Sequence, residues 1–333
     1  MEENLAADAL QMIAQAASAA GEDDNDTANT GPTVRRRISV QGPSRGQASQ
    51  TDPEEPQNHV RVCCLQIGQR QTTESLWSSA QRALSCLTSV ALNENDVDLF
   101  VLPELSPLGP TQDTFAKYLP LSQEWQSIYQ RIESAFSEQA RALGVYIVYG
   151  TIGWHRRESD RSLKFTLQHK VVDSQGSVVA VYDKSYLSDL EFRFFEAGPR
   201  KPVTFTINGF NFGLLVGDDI KYPNLARSLA RDWDVDVVIH PSADLTPRYF
   251  RQCRAVENAV YVLGVEYSNG TSIAVPPDPD HEPVSIERNH SVEEEDGEEG
   301  YLVTKIERAG SEYARTNFPY YRHMKMEPKG VFA

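Results

Sequence analysis

From residue 59 onward, short apolar runs alternate with segments whose apolar residues recur at the spacing of a helix. Val60–Ile67 and Val97–Leu102 are nearly continuous apolar runs, which are typical of strands covered on both faces. The apolar stripe between Trp125 and Leu143 predicts an amphipathic helix. Because predicted strands and helices alternate, the pattern indicates an α/β fold. The other predicted elements are a helix from near Thr73, strands at Gly144–Gly150, Leu163–Val172, Val178–Tyr182 and Phe212–Val216, a helix from about Tyr222, a strand at Val235–Ile239, a helix at about Thr246–Asn258, and strands at Tyr261–Glu266 and Tyr301–Ile306.

Two segments depart from this alternation and lack the apolar residues needed for a core. Residues 1–58 are poor in aromatic residues and rich in Gly, Ser, Pro, Gln and charge, which predicts a disordered tail. Residues 276–300 combine prolines with a run of acidic residues, which predicts an acidic loop inserted before the last strand. The predicted organisation is therefore a tail at 1–58, one folded domain at 59–325 and a short C-terminal tail at 326–333.

The net charge of −15 is concentrated in these two segments. Residues 1–58 carry a net charge of −6 and residues 276–300 a net charge of −9, so the folded domain is nearly neutral. A neutral domain lacks the basic surface that binds a nucleic-acid backbone, so we expect no direct nucleic-acid partner. No apolar run approaches the roughly 20 residues of a spanning helix, and the acidic N-terminus is unlike a secretory signal. We therefore expect an intracellular protein without a membrane partner, in the cytoplasm or the nucleus.

The four cysteines, Cys63, Cys64, Cys86 and Cys253, show no CxxC or metal-ligand spacing. This pattern predicts reduced, buried thiols, with no metal and no cofactor. Cys63 and Cys64 are adjacent on a predicted strand, so their side chains are expected on opposite faces.

Three predicted strands each end in a residue that suggests chemistry. Glu104 follows Val97–Leu102, and Lys184 follows Val178–Tyr182. The third strand, Phe212–Val216, runs into a turn at Gly217. Open α/β sheets build their sites at such strand ends, so the three positions together predict one site. The alternative is a buried Glu–Lys ion pair with a purely structural role.

The segment FGLLVGDDIKYPNL at residues 212–225 resembles the nucleophile elbow of the nitrilase (carbon–nitrogen hydrolase) superfamily, G-x-x-I-C-Y-D-x-R-F-P-E-L. Four residues match that pattern, namely Gly213, Asp219, Pro223 and Leu225. The family's cysteine falls on Gly217. Glu104 in L-P-E and Lys184 in Y-D-K match the other triad motifs, and residues 253–262 are similar to the family's R-A-x-E-N-x-x-Y-V.

The resemblance implies an α-β-β-α sandwich that pairs through a helical face into a homodimer. It implies that Glu104 is a general base and that Lys184 stabilises the oxyanion with a backbone N–H just after the nucleophile. Glu191, seven residues after Lys184, corresponds to an additional structural glutamate of these enzymes.

Glycine has no side chain and forms no acyl-enzyme, so Gly217 predicts a pseudoenzyme that retains Glu104 and Lys184. The predicted role is a non-catalytic scaffold or regulatory subunit that binds proteins through residues 1–58 or 276–300. Two alternatives stay open: an amidase or ureidopropionase-type hydrolase with a non-cysteine mechanism, and a small-molecule sensor. Asp218 lies one residue past the apex, where a side chain is expected to point away from the site.

The elbow differs from the family pattern at further positions, since Asp218, Lys221 and Asn224 replace Tyr, Arg and Glu. These changes suggest that the elbow itself has diverged. In the tail, Arg36 and Arg37 precede Ser39 in a sequence that resembles a basophilic kinase site. Phosphate on Ser39 would pair with the neighbouring guanidinium groups, so phosphorylation there is a further hypothesis.

Overall fold

The computed structural model describes residues 58–70, 73–94, 96–109, 119, 122–159, 161–243, 246–267, 273–278, 284–285 and 300–326. The predicted tail up to residue 57, Ser39, most of the predicted acidic loop and residues 327–333 lie outside the described residues. None of the helices within these ranges is long and apolar enough to cross a membrane.

Strands and helices alternate through the described ranges as the sequence pattern predicts. The strands are β1 (His59–Gln66), β2 (Leu99–Val101), β3 (Tyr146–Arg156), β4 (Leu163–Val172), β5 (Val178–Asp183), β6 (Thr204–Ile207), β7 (Phe210–Leu214), β8 (Val237–Pro241), β9 (Tyr261–Val265), β10 (Ile273–Val275), β11 (Val284–Ser285) and β12 (Gly300–Glu307). The helices are α1 (Leu76–Asn93), α2 (Gln123–Leu143), α3 (Pro223–Asp232), α4 (Arg248–Asn258), α5 (Arg308–Asn317) and α6 (Pro319–Met326). Short 3-10 turns lie at Glu191–Arg193 and Gly217–Lys221.

Within the described ranges, these strands form two six-stranded sheets. The strand order is β12-β1-β2-β3-β4-β5 in the first sheet and β11-β10-β9-β8-β7-β6 in the second. Each sheet has a parallel centre, β1-β2-β3 in the first and β7-β8-β9 in the second, and antiparallel strands on either side. Parallel strands of one sheet have their carboxyl ends at the same edge, where α/β proteins commonly build their sites. The end of β2 lies at this edge of the first sheet, and the end of β7 lies at this edge of the second.

The two sheets pack face to face, and helices cover both outer faces. Side chains of both sheets, among them Val101 and Phe212, form the core between the sheets. Helices α1 and α2 cover the first sheet with a second core that includes Phe136. Helices α3 to α6 cover the second sheet through residues such as Leu229 and Tyr321. The predicted α-β-β-α sandwich is therefore confirmed.

Local sequence explains where the long helices begin and end. The side chain of Ser75 accepts a hydrogen bond from Ser78 N at 3.0 Å, and Ser122 accepts one from Trp125 N at 3.2 Å. Both serines therefore cap a helix N-terminus. Gly144 ends α2 with φ +70°, a conformation that glycine adopts at little cost.

Five elements lack a recognisable pattern in the sequence and were not predicted, namely β6, β10, β11, α5 and α6. The three strands have only four, three and two residues, too few for a periodic signal. Helix α5 buries just Ser311 and Ala314, so its apolar face is too weak to recognise by pattern.

Candidate active site

The four residues singled out from the sequence lie in one cluster between the ends of three strands. Glu104 follows β2 and Lys184 follows β5 in the first sheet, whereas Gly217 follows β7 in the second. Glu191 lies in the 3-10 turn after β5. Glu104, Lys184 and Glu191 are only 2%, 3% and 6% exposed, so their charges are held away from solvent.

Lys184 joins the two carboxylates of the cluster. Its Nζ donates to Glu104 Oε1 and to Glu191 Oε1, both at 2.8 Å. The second oxygen of each carboxylate accepts a backbone N–H, from Ala243 at 2.9 Å for Glu104 and from Ser188 at 2.8 Å for Glu191. Buried charges are tolerated when they are paired and hydrogen-bonded in this way. The arrangement fixes the Glu104 carboxylate against the lysine.

One lysine charge shared by two buried carboxylates leaves Glu104 incompletely compensated. Burial, together with the charge of Glu191, raises the pKa of Glu104 to about 7, against the lowering effect of Lys184. Burial alone would lower the pKa of Lys184, but Glu104 and Glu191 outweigh it and hold that pKa above its ordinary value. The cluster therefore combines a permanent cation with a carboxylate that titrates near neutrality, which suits a general base.

Gly217 occupies the apex of the turn and faces this cluster. Its φ is +52°, the left-handed conformation that glycine adopts without penalty. A Cβ built on Gly217 would lie 2.6 Å from Glu104 Oε2 and 2.7 Å from Lys184 Nζ. The position where the family carries its cysteine therefore points at the base and the cation, and both occupy the space that a side chain would need.

Three of the four residues that match the family's elbow motif, Gly213, Asp219 and Pro223, have a clear structural reason. Asp219 Oδ2 accepts from Val216 N at 3.1 Å and from Tyr182 Oη at 2.7 Å, and its Oδ1 accepts from Tyr186 N at 2.8 Å. At Gly213, a Cβ would collide with the Leu229 side chain of α3. Asp219 thus ties the turn to β5.

Pro223 is the first residue of α3, a position that does not need a backbone N–H.

Positions where the elbow departs from the family pattern face outward. Asp218 and Lys221 form an ion pair at 2.5 Å in which both side chains are partly exposed, and Asn224 is exposed. Asp218 therefore directs its carboxylate away from Glu104 and Lys184 and is no substitute nucleophile. The apex keeps its left-handed backbone despite these changes.

None of the four cysteines occupies the vacant nucleophile position at Gly217. Cys63 and Cys64 lie on opposite faces of β1, as predicted, one in the helix-covered core and one between the sheets. Burial raises the pKa of both thiols, that of Cys64 to about 12, so neither forms a thiolate near neutrality. Cys86 is buried in α1, whereas Cys253 on α4 is exposed, contrary to the prediction that all four are buried. Cys253 is exposed because α4 turns this position to its outer side.

Sequence reasoning missed four buried polar residues near the site: His169, His240, Arg251 and Glu266. His240 is the penultimate residue of β8, and its Nε2 lies 2.8 Å from the carbonyl oxygen of Gly217. Like Glu104 and Lys184, it comes just after a predicted apolar strand, here Val235–Ile239, and that position is a signal in the sequence. His169 on β4 is 1% exposed, and neither of its ring nitrogens has a hydrogen-bond partner in the part of the chain that the structure describes. Burial and the charge of Lys184 lower the pKa of His169 to about 3, so it is neutral.

No group of three or more His, Cys, Asp or Glu side chains within the described ranges has the geometry to hold a metal ion.

Comparisons with known proteins agree with this geometry. The carbon–nitrogen hydrolase family model matches residues 61–295. The chain is 31% identical over 191 residues to a protein of Pseudomonas protegens named "Hydrolase in pqqF 5'region", a match that covers 55% of this chain and 63% of that protein. It is 29% identical to the deaminated glutathione amidase of Rattus norvegicus, over 38% of this chain and 43% of the amidase. It is 30% identical to a nitrilase of Pyrococcus abyssi, over 51% of this chain and 62% of the nitrilase.

Solved structures share the fold at low sequence identity. An amidase from Nesterenkonia sp. has a TM-score of 0.60 at 20% identity, covering 80% of this chain and 96% of the amidase. Nit3 of Saccharomyces cerevisiae has a TM-score of 0.61 at 21% identity, covering 79% of this chain and 95% of Nit3. At these identities the structures establish the fold alone.

The fold, the strand-end cluster and the family match define a nitrilase-type α-β-β-α protein. The chain belongs to the carbon–nitrogen hydrolase family. The aligned stretches span less than two thirds of each of the curated relatives described above.

The prediction that this chain is a non-catalytic pseudoenzyme is contradicted by these relatives, which are named as a hydrolase, an amidase and a nitrilase. That prediction treated the missing thiol as the loss of all activity. Physically, a thiol is one of several groups that hydrolysis uses, and the structure retains the carboxylate of Glu104 and the ammonium of Lys184 in contact.

Proposed function

We propose that this chain is an amidase-type carbon–nitrogen hydrolase in which water, rather than a cysteine, attacks the carbonyl carbon. The amidase among the relatives supports a carboxamide substrate, and the absence of a side chain at Gly217 supports a mechanism without an acyl-enzyme. This was the alternative interpretation of the sequence, and the relatives favour it over a scaffold.

One observation carries the proposal: the intact Glu104–Lys184–Glu191 cluster directly faces the Gly217 apex. Burying a lysine between two carboxylates contributes little to stability, and well-packed apolar side chains in the same place would often make the fold more stable. Retention of all three charged residues therefore favours a functional role. Each carboxylate oxygen of Glu104 accepts one hydrogen bond, from Lys184 or from Ala243 N. A carboxylate oxygen has two lone pairs, so each can also accept a hydrogen bond from a water molecule.

The reaction follows from these groups. Ionised Glu104 takes a proton from water as the water oxygen bonds to the amide carbon, and the carbonyl π electrons move onto oxygen. Lys184 and the N–H of Asp218 stabilise the resulting oxyanion. The tetrahedral species then collapses, the C–N bond breaks, and protonated Glu104 returns its proton to the leaving nitrogen. One amide and one water give one carboxylic acid and one amine.

The test is hydrolysis of a panel of carboxamides and N-carbamoyl amino acids by the full chain, with the released acid measured. Glu104→Gln keeps the size of the side chain but removes the base, so the rate should fall by a factor of about 100 or more. Glu138→Gln, an exposed glutamate on α2, is the matched control and should leave the rate unchanged. Preparing both variants in parallel also controls for contaminating hydrolases.

Two results would overturn the proposal. One is the absence of product from every amide of the panel, and the other is equal turnover by the wild type and Glu104→Gln.

Protein contacts of this chain are a separate proposal. Residues 1–58 and 276–300 are the predicted docking segments. Deleting 1–57, or deleting 286–299 so that β11 and β12 are kept, should remove a co-purifying partner while leaving hydrolysis intact. Loss of hydrolysis together with the partner would instead place these segments in the catalytic unit.

A further inference from the structure

A chain of three buried polar side chains ends on the apex of the Gly217 turn. Arg251 Nη2 donates to Glu266 Oε1 at 2.6 Å, and Arg251 Nε donates to His240 Nδ1 at 3.1 Å. His240 Nε2 lies 2.8 Å from the carbonyl oxygen of Gly217. His240, Arg251 and Glu266 are 0%, 1% and 4% exposed. We call this chain of contacts the His240 relay.

The partners of His240 determine which ring nitrogen carries the proton. A guanidinium group only donates hydrogen bonds, so Nδ1 of His240 must accept from Arg251. In a neutral imidazole the other nitrogen, Nε2, then carries the hydrogen and donates it to Gly217 O. Burial and the charge of Arg251 lower the pKa of His240 well below its usual range, which keeps the ring neutral.

A hydrogen bond to the Gly217 carbonyl also orients the next N–H. The Gly217–Asp218 peptide is planar, and in a trans peptide the C=O and N–H point to opposite edges. His240 holds the oxygen on its own side, so the N–H of Asp218 points to the other side. That N–H donates to no acceptor within the part of the chain that the structure describes.

Neighbouring residues are arranged around the His240 relay. Gly264 on β9 faces Arg251, and a Cβ there would collide with the guanidinium group. Arg254, one turn further along α4, donates to the carbonyl oxygens of Ile220 and Lys221 at 3.0 and 3.2 Å. Two arginines of α4 thus hold the two ends of the turn, Arg254 directly and Arg251 through His240.

We infer that His240 is a positioning residue that turns the N–H of Asp218 toward the tetrahedral oxyanion beside Lys184. The inference rests on the proposed function, because the oxyanion is formed in that reaction. It assigns to the His240 relay a role in transition-state stabilisation, which acts on kcat more than on KM.

The kinetic test compares His240→Leu, His240→Gln and Arg231→Met with the wild type. His240→Leu removes the donor to Gly217 O, so kcat should fall about tenfold or more while KM changes little. Glutamine carries an N–H donor of similar reach and should restore part of the loss. Arg231 is the matched control: it is 1% exposed and ion-paired with Asp232 on α3, so Arg231→Met should change the melting temperature and leave kcat alone. An unchanged kcat in His240→Leu, or an equal fall in Arg231→Met, would refute the positioning role.

A second measurement is independent of turnover. In the ¹⁵N NMR spectrum of the full chain labelled at histidine, the His240 signals are identified by their loss in His240→Gln. We expect a neutral ring with its proton on Nε2, and a mixture of tautomers in Arg251→Met. In a sample labelled at aspartate, the Asp218 amide signal should move in His240→Leu and stay in place in Arg231→Met.

The two proposals fail in different ways. The His240 relay is refuted if the proton lies on Nδ1 of His240, or if the Asp218 amide signal does not move in His240→Leu. Either result holds whatever the hydrolysis assay gives. A wild type that makes no product refutes the proposed hydrolase, while the NMR signals still decide whether His240 orients this peptide.

Discussion

At the scale of single residues, Gly217 decides which reaction mechanisms are open to this site. The residue lacks the nucleophile of its family, yet its backbone keeps the left-handed conformation at φ +52°. The base and the cation lie in the direction where a side chain would project. The consequence is a site in which Glu104 and Lys184 are in van der Waals reach of the apex and have no covalent partner there.

Gly217→Cys should therefore fail to produce an efficient thiol-dependent hydrolase. A Cβ at this position displaces Glu104 and Lys184, and an L residue at φ +52° adds strain of about 1–3 kcal/mol. We expect kcat/KM of Gly217→Cys to be no higher than that of the wild type and its free energy of unfolding to be lower.

Gly144→Ala is the control for this prediction, because Gly144 has φ +70° and a Cβ there meets no atom within 4 Å. Gly217→Ala should lose at least about 1 kcal/mol more stability than Gly144→Ala, since only the former displaces buried charged groups. The prediction is contradicted if Gly217→Cys shows robust turnover, or if the two alanine variants lose equal free energy of unfolding. Either result would mean that Glu104 and Lys184 move aside at little cost.

The titration of Glu104 gives a pH dependence with a defined sign. Its pKa is about 7 in the folded protein, above the ordinary 4.5. A raised carboxyl pKa stabilises the fold below the unfolded pKa, and this stabilisation is lost as the pH rises from about 4.5 to about 7. The proposed hydrolysis has the opposite trend, because Glu104 acts as a base only when it is ionised: kcat/KM should rise with pH through about 7.

Glu191→Gln tests the cause of that pKa. The charge of Glu191 raises the pKa of Glu104, so its removal should shift the rise in kcat/KM to lower pH. The measurement is a kcat/KM profile of both proteins with one amide substrate. A profile that stays in place or moves to higher pH would contradict the assigned electrostatics.

At the scale of elements, the buried carboxylate of Asp219 stabilises the turn between β7 and α3. Asp219 accepts two backbone N–H groups and the Tyr182 hydroxyl, and it is fully buried. Burial raises the pKa of Asp219 to about 6, and the donated hydrogen bonds oppose this rise. The hydrogen bond from Tyr182 ties the turn to β5, the strand that Lys184 directly follows, so the geometry of the site depends on this contact.

Two adjacent aspartates provide a matched comparison of stability. Asp219→Ala removes the acceptor shared by two backbone N–H groups and the Tyr182 hydroxyl, and we expect a loss of about 3 kcal/mol in the free energy of unfolding. Asp218→Ala removes a partly exposed ion pair with Lys221, which should cost less than about 1 kcal/mol. Chemical denaturation of both variants at pH 7.5, chosen above the pKa of Asp219, measures the difference. Equal losses would mean that the turn is held by other contacts.

At the scale of the whole molecule, the site exists only where the two sheets meet. Glu104 and Lys184 come from the first sheet, and the Gly217 turn and the Ala243 N–H come from the second. Sliding one sheet against the other would separate the base from the apex. The core between the sheets, with residues from both, fixes their relative position.

Homodimer formation is a prediction at this scale. The helical layer over the second sheet exposes large side chains, with Trp233 52%, Tyr249 57% and Tyr313 51% exposed. Light scattering after gel filtration should give twice the 37.3 kDa of one chain. Tyr249→Glu should weaken the dimer, whereas Leu92→Glu, 74% exposed on the opposite layer, should not. A single-chain mass for the wild type, or an equal effect of both variants, would exclude pairing through this helical layer.

The order of the longer strands and helices and the positions of Glu104, Lys184 and Gly217 at strand ends were determined by the sequence alone. Apolar periodicity is a local property, so the alternation of strands and helices and the strand-end positions of Glu104, Lys184 and Gly217 were predictable. Weakly amphipathic helices and very short strands were not, because their residues carry too little of that signal.

Only the tertiary structure decided how these residues act on one another. Glu104 and Lys184 are 80 residues apart in the chain and 2.8 Å apart in space, a distance that depends on how β2 and β5 are arranged in one sheet. Burial, which no local pattern measures, sets the pKa of Glu104. The His240 relay likewise spans three elements that meet only in the folded chain. Sequence therefore determined which groups are present, and packing decided their distances, charges and partners.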